Sequence, residues 1–308
     1  MLENVWTVGQ QVIVLFVLIG IGAILSKTGL LTEHTAKHCS DIVLTIVTPC
    51  VIIQSFQRPL DMAMLKGLGL AVLIAFLIHI GTILIAHLIL HDPVVERERV
   101  LRVGSVLSNA GFMALPLQNA ILGEVGVFYG AAYVAVFNII LWTYGLVTMS
   151  GDRKNMSPRK LFINPGILAV AIGLVLFLGS ITLPSVLAAP IGHLAALNTP
   201  LPMLIIGHYL VQSNLWKALR DKAAYFCIAL RLVIVPLAAL GLMWLCGVRG
   251  DLLVSCVIAA SAPVAVATTM FAARFNGATG LSVNVVSLST LFSIVTMPLI
   301  VGLAQMLA

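Results

Sequence analysis

The chain has 308 residues, of which 60% are hydrophobic and 9% charged, with a formal net charge of +6. A soluble protein carries about 25% charged residues because water wets its whole surface, so lipid is the solvent for most of this one. The charges form no basic block or basic helix face, which excludes a nucleic-acid partner; they lie between apolar runs, as membrane topology requires.

About 20 apolar residues cross the hydrocarbon core, and on that ruler ten helices are predicted. The first, 6–26, follows Glu3 without any basic segment and is long enough to span, so it reads as a membrane helix rather than a cleaved signal. Between it and the second, 38–57, His34 and His38 stand at i, i+4 beside Glu33, two imidazoles without a third metal ligand. The second helix carries Thr48-Pro49, and Asp41 lies near its start, where interfacial water solvates it. In the third, 66–90, His79 is the only ionisable residue between Gly67 and Ile85. It is a candidate carrier of a coupled proton, the alternative being a neutral imidazole bonded to a neighbouring helix. The fourth, 100–121, contains SNAGFMALP at 108–116, and the fifth is 126–149.

After the polar segment GDRKNMSPRKLFIN, 151–164, the sixth helix is 165–183 and the seventh, 187–212, carries Thr199-Pro200 and ends near His208. The eighth, 223–247, holds Arg231 five residues before Pro236. Arg231 either reaches a substrate path or snorkels to the cytoplasmic surface. The ninth, 252–273, contains SAPVAVATT at 261–269, and the tenth is 281–306. Cys39, Cys50, Cys227, Cys246 and Cys256 fall in or at the ends of apolar runs with no CxxC spacing, and read as small apolar side chains.

The loops fix an orientation. Lys27, Lys37, Arg97, Arg99, Arg102, Arg153, Lys154, Arg159, Lys160, Lys217, Arg220, Lys222 and Arg274 share one side, against Arg58, Lys66 and Arg249 on the other. The positive-inside rule then puts both termini outside. Five spans lie on either side of the connecting loop at 150–164, so 1–149 and 165–308 have opposite orientations. That is the inverted-repeat plan of many transporters, with the site near the midplane where the halves meet. Thr48-Pro49 and Thr199-Pro200 occupy the second helix of each half, and the two proline-containing polar segments occupy the fourth.

A proline inside a helix removes a backbone hydrogen bond, and in lipid the freed carbonyl must find a partner in protein or in a wet cavity. Pro116 and Pro263 therefore mark buried openings in helices 4 and 9. Gly111 lets another backbone approach, while Ser108, Asn109, Ser261, Thr268 and Thr269 offer neutral hydrogen-bonding groups. The N-terminal ends of such half-helices attract anions without a buried cation. The expected fold is an all-α integral membrane protein with ten transmembrane helices.

SNAGFMALPL (108–117), YVAVFNIILW (133–142), INPGILA (163–169), SAPVAVATTMFAARFNG and the downstream SLSTLFSIVTMP (261–298) resemble the auxin efflux carrier family along essentially the whole chain. Bacterial members of that family are taken as malonate and malate permeases. The resemblance implies two inverted five-helix repeats with broken, crossing helices 4 and 9, and an elevator motion of a transport domain. It also implies a homodimer through helices 1, 2, 6 and 7. The family's crossing prolines fall on Pro116 and Pro263, its substrate-contacting asparagine on Asn109, and its helix 5 amide on Asn138. The charged pair of plant members in helix 3 has no counterpart here.

No group of nucleophiles, bases or metal ligands supports an enzyme, and no cofactor or metal is implied. The expectation is a multi-pass carrier of the cytoplasmic (inner) membrane for a small organic anion, such as a dicarboxylate. The substrate-binding candidates are Ser108, Asn109, Gly111, Asn138, Arg231 and Ser261. The rivals are a passive anion channel and a carrier like the bile-acid/sodium symporters.

Overall fold

The computed structural model describes residues 2–152, 154, 163–213, 216 and 219–308. Arg153, Ser157, Arg159, Lys160, Asn214, Lys217 and most of the 150–164 segment lie outside the described residues. In a bilayer every backbone N–H and C=O must be satisfied within the segment, and helices do this. The described residues accordingly form helices and no named strand. They are α1 (Leu2–Lys27), α2 (Glu33–Ser55), α3 (Met62–Ile89), α4 (Val95–Val106), α5 (Ala110–Ser150) and α6 (Pro165–Leu178). There follow α7 (Ser185–Gln212), α8 (Lys222–Leu245), α9 (Gly250–Ser261), α10 (Ala267–Arg274) and α11 (Thr279–Leu307).

Seven of these, α1, α2, α3, α5, α7, α8 and α11, are long and apolar enough to cross a membrane, and α6 and α9 are shorter apolar helices. The chain is thus an all-helical, multi-pass membrane protein. The expected fourth span, 100–121, is divided between α4 and α5, and the ninth, 252–273, between α9 and α10. The expected fifth span belongs to the 41-residue α5. A straight helix of that length runs roughly 60 Å, twice the hydrocarbon core. It is interrupted at Gly123, whose φ of 62° and ψ of −150° suit glycine alone.

Helix starts follow local sequence. Thr32, Asp61, Asn164 and Asp221 accept hydrogen bonds from first-turn N–H groups of α2, α3, α6 and α8. Three helices widen to π turns just before a proline: Val43–Val47 ahead of Pro49, Ala110–Ala114 ahead of Pro116, and Leu230–Ile234 ahead of Pro236. The proline ring clashes with the carbonyl four residues back, and an extra residue in the turn relieves it.

Helix α1 packs between α7 and α11, α2 packs on α6 and α7, and α9 packs on α5 and α11. Fully buried Phe56, Phe128 and Phe177 join α2, α5 and α6, with ring centroids 4.7–6.3 Å apart. Between α1 and α7, glycine lets the backbones touch: a Cβ on Gly22 would lie 2.6 Å from the Leu204 Cα, and one on Gly207 2.6 Å from the Ala23 nitrogen.

Candidate functional site

Helix α4 ends at Val106 because Leu107, with φ −91° and ψ 108°, turns extended. Helix α9 ends at Ser261 in the same way, with Ala262 extended ahead of Pro263. The two extended stretches meet as an antiparallel bridge between Ser108 and Val264. The Asn109 N–H donates to the Pro263 carbonyl at 2.7 Å, and the Ala265 N–H to the Leu107 carbonyl at 2.9 Å. Each broken helix thus supplies the backbone partner that the other lacks, which lets both open in a region without water. The Val264 N–H is taken by the Ser289 hydroxyl of α11 at 3.1 Å.

Four half-helix ends converge here. The C-terminal ends of α4 and α9 face Arg231 of α8, which is fully buried. Its Nη1 donates to the carbonyls of Ser105 at 3.3 Å and Val106 at 3.2 Å, and its Nη2 to that of Ala260. Arg231 therefore neither snorkels to the surface nor presents these donors to a passage. The N-terminal ends of α5 and α10 carry no side-chain cap.

Around the bridge, buried Asn109 Nδ2 and Thr268 Oγ1 have no hydrogen-bond partner, and Ser108, Tyr133 and Arg231 form a buried polar group beside them. Tyr133 of α5 points its hydroxyl toward Ser108 and Arg231, and its ring centroid is 5.0 Å from that of His79. Buried His79 shares Nδ1 with the Ala75 carbonyl of its own helix at 2.7 Å, and its Nε2 has no partner.

Of the residues singled out in the sequence, the fold brings Ser108, Asn109, Pro263 and Arg231 to the crossing, with His79 beside Tyr133. Gly111 lies in the first turn of α5, with open space where a Cβ would stand. Ser261 is buried, and its hydroxyl turns back to the Ile258 carbonyl. Pro116 lies beyond the extended break, within α5, where it accompanies the π turn. Asn138 bonds elsewhere: its Nδ2 donates to Val134, and its Oδ1 accepts from Asn164, the residue that caps α6.

Several supporting residues escaped the sequence reading. Ser289 holds the bridge, and Gln118 of α5 donates to the Ser255 carbonyl and hydroxyl of α9. The Ser255 hydroxyl in turn donates to the Gly126 carbonyl, beyond the Gly123 interruption. The signal for Ser289 was present in the hydroxyl-rich run SLSTLFS of α11, but hydroxyls in membrane helices bond their own backbone so often that density alone does not pick one out.

Two cavities flank the crossing. One of about 240 Å³ lies between α2, α5 and α7, with Gln54, Asn119, Glu124 and Asn198 on its wall. The other, about 410 Å³, lies between α4, α7, α8 and α11, with Arg97, Gln212 and Asp221 on its wall. At 1.5 Å per helical residue, Arg97 and Asn119 each stand roughly 15 Å along their helices from the bridge, in opposite directions. Ion pairs border both: Arg58 with Glu124 at 3.6 Å, and Arg97 with Asp221 at 2.8 Å.

The model of the membrane transport protein family matches residues 7–158 and 152–301. An uncharacterized transporter of Methanothermobacter thermautotrophicus is 28% identical over 298 residues, covering 94% of this chain and 96% of its own. An uncharacterized transporter of Saccharomyces cerevisiae is 29% identical over 76 residues, 25% of this chain and 12% of its own. The chain belongs to the membrane transport protein family, that of the auxin efflux carriers.

Proposed function

We propose that the protein is a secondary carrier for a small organic anion, bound where the two broken helices cross. The observation that carries this reading is the convergence, in a buried setting, of two uncapped helix N-termini with the unpaired Asn109 amide. Helix N-termini hold a carboxylate through their partial positive charge. A dicarboxylate such as malonate or malate is the cargo this reading favours. No catalytic role is assigned to any residue.

The finer architecture belongs to the same proposal. Counting α4 with the start of α5, the remainder of α5 after Gly123, and α9 with α10 as one span each gives ten spans. The two five-span halves, 1–149 and 165–308, then run in opposite directions, with both termini outside the cytoplasmic membrane. Cavities on either side of a closed crossing fit alternating access, and tight packing of α1 on α7 fits a rigid scaffold for an elevator. The first part of α7, Ser185–Ala195, buries no residue in the monomer, which fits a homodimer through the scaffold.

Binding is tested by a thermal-shift screen of the purified protein against organic acids: a ligand at 100 times its Kd stabilises by about 2.7 kcal/mol. In proteoliposomes an excess of unlabelled acid inside should accelerate entry of labelled acid, whereas a passive anion channel gives no such counterflow.

The topology has its own check. Single cysteines at Asp61 and Gly123 should react with an impermeant reagent added outside, and cysteines at Ser157 and Asn214 only after permeabilisation. Reaction of Asp61 and Ser157 positions from the same side would rule out ten spans.

We read His79 as a neutral imidazole in a packing role. Its described neighbours are the Ala75 carbonyl, the Tyr133 ring and the Arg231 cation, which offer a moving proton no carboxylate to pass to. His79→Gln should therefore leave the pH profile of uptake unchanged. A flattened profile at normal expression would instead make the imidazole the carrier of a coupled proton.

A further inference from the structure

A fully buried arginine in a membrane protein ordinarily has a carboxylate for company. Arg231 has none among the described ion pairs, and it spends its Nη donors on the last carbonyls of α4 and α9. Each of those helices has 12 residues, and a helix C-terminus carries roughly −0.5 of an elementary charge. Two such ends sum to about −1, which matches the guanidinium in size and opposes it in sign. The N-terminal ends of α5 and α10, roughly +0.5 each, have no side chain set against them.

We propose that Arg231 is a positioning residue that sets the charge preference of the crossing without touching the cargo. By cancelling the two negative helix ends, it leaves the bridge surrounded by the two positive ones. The same contacts tie a half-helix from each half of the chain to α8, so the charge balance travels with the crossing as one body. Without the guanidinium, two partly negative carbonyl clusters stand uncompensated in a dry interior, where charges are poorly screened.

The choice of an anionic cargo rests on the function proposed above, so the test reads the field itself. Cysteine is placed at Gly111 or Ala267, in the first turns of α5 and α10, where exposure is intermediate. Its modification is followed by peptide mass spectrometry with an anionic (sulfonatoethyl) and a cationic (trimethylammonioethyl) methanethiosulfonate. Both reagents consume the same thiolate, so the ratio of their rates reports local potential and not thiol ionisation. Arg231→Gln should lower the anionic-to-cationic ratio at both positions by at least about tenfold, whereas Arg231→Lys, which keeps the charge, should hold it within about threefold. An unchanged ratio in Arg231→Gln at an unchanged melting temperature would overturn the proposal.

Should Arg231→Gln fail to insert, Arg231→His offers a charge that can be switched within one protein, because an unperturbed imidazole changes charge between about pH 5 and about pH 8. Relative to the parent, its ratio should be lower at the alkaline end, where the imidazole is neutral, and rise toward acid; parity with the parent at the alkaline end would overturn the proposal. Thermal shift with malonate on the same samples separates the two ideas. If the ratio falls but malonate and other organic acids stabilise neither parent nor variant, the electrostatic role of Arg231 stands and the cargo assignment falls.

Discussion

Replacing Asn109 with alanine should weaken binding of the organic anion by about ten- to a hundred-fold. A hydrogen bond to a charged group is worth about 1.5–3 kcal/mol, and each 1.4 kcal/mol is a factor of ten. Asn109 stands in the extended stretch between α4 and α5, and is almost fully buried. Its Nδ2 makes no hydrogen bond within the protein, so truncation breaks no internal contact of that group. What holds the crossing at this residue is its backbone: the N–H to Pro263, and the carbonyl that accepts from Met113 and Ala114. Alanine keeps all three. The melting temperature without ligand should therefore stay near that of the parent while the ligand-induced shift shrinks. Isothermal titration or the thermal-shift midpoint against acid concentration gives the affinity directly. Parent-like binding would move the substrate away from the crossing. Asn138→Ala should act more weakly, since its amide is already engaged by Val134 and Asn164.

The second large effect is expected where α1 and α7 touch. Gly22→Ala should destabilise by about 1–3 kcal/mol, the usual cost of overpacking. The new methyl would meet Leu204 backbone atoms, including its Cα at 2.6 Å, and a backbone segment cannot swing aside as a side chain can. Gly207→Ala should do the same against Ala23. The matched control is Gly20→Ala, two residues away on the same helix, where nothing lies within 4 Å of the new carbon. There the change should be neutral or stabilising by about 0.4–1 kcal/mol, from reduced freedom of the unfolded chain. Thermal denaturation in detergent compares the three variants. Equal midpoints for Gly20→Ala and Gly22→Ala would show that the α1–α7 contact yields, and would remove its claim to be a rigid scaffold.

The sequence was most informative where one segment decides its own structure. Scarcity of charge requires lipid, lipid requires a backbone satisfied without water, and continuous apolar runs of about 20 residues meet that requirement as helices. The expected helix starts at 165 and 223 fall within one residue of Pro165 and Lys222, whereas those at 38 and 66 fall late, because Thr32 and Asp61 cap first turns that precede the expected starts. The prolines were legible as disturbances too: Pro263 stands at the break, where its carbonyl accepts from the Asn109 N–H, but Pro116 does not. Pro116 widens a turn that its own helix absorbs, whereas the extended bridge forms at 107–109, where the extended segment around Val264 is available. Asn109 could be singled out because an amide at membrane depth is costly unless used.

What the tertiary structure alone decided is which distant groups satisfy one another. Arg231 was equally compatible with a passage or the membrane surface, because its long side chain reaches in several directions. Only the convergence of α4 and α9 on α8 sets three carbonyls from two separate segments around one guanidinium. The same holds for Ser289 and the Val264 N–H, for Gln118 and Ser255, and for Gly22 with Leu204. Backbone satisfaction within a helix is a local condition and is written locally, in hydrophobic length and capping residues. Satisfaction of a buried charge or an opened helix end depends on which segments the fold brings within about 3 Å, the length of one hydrogen bond.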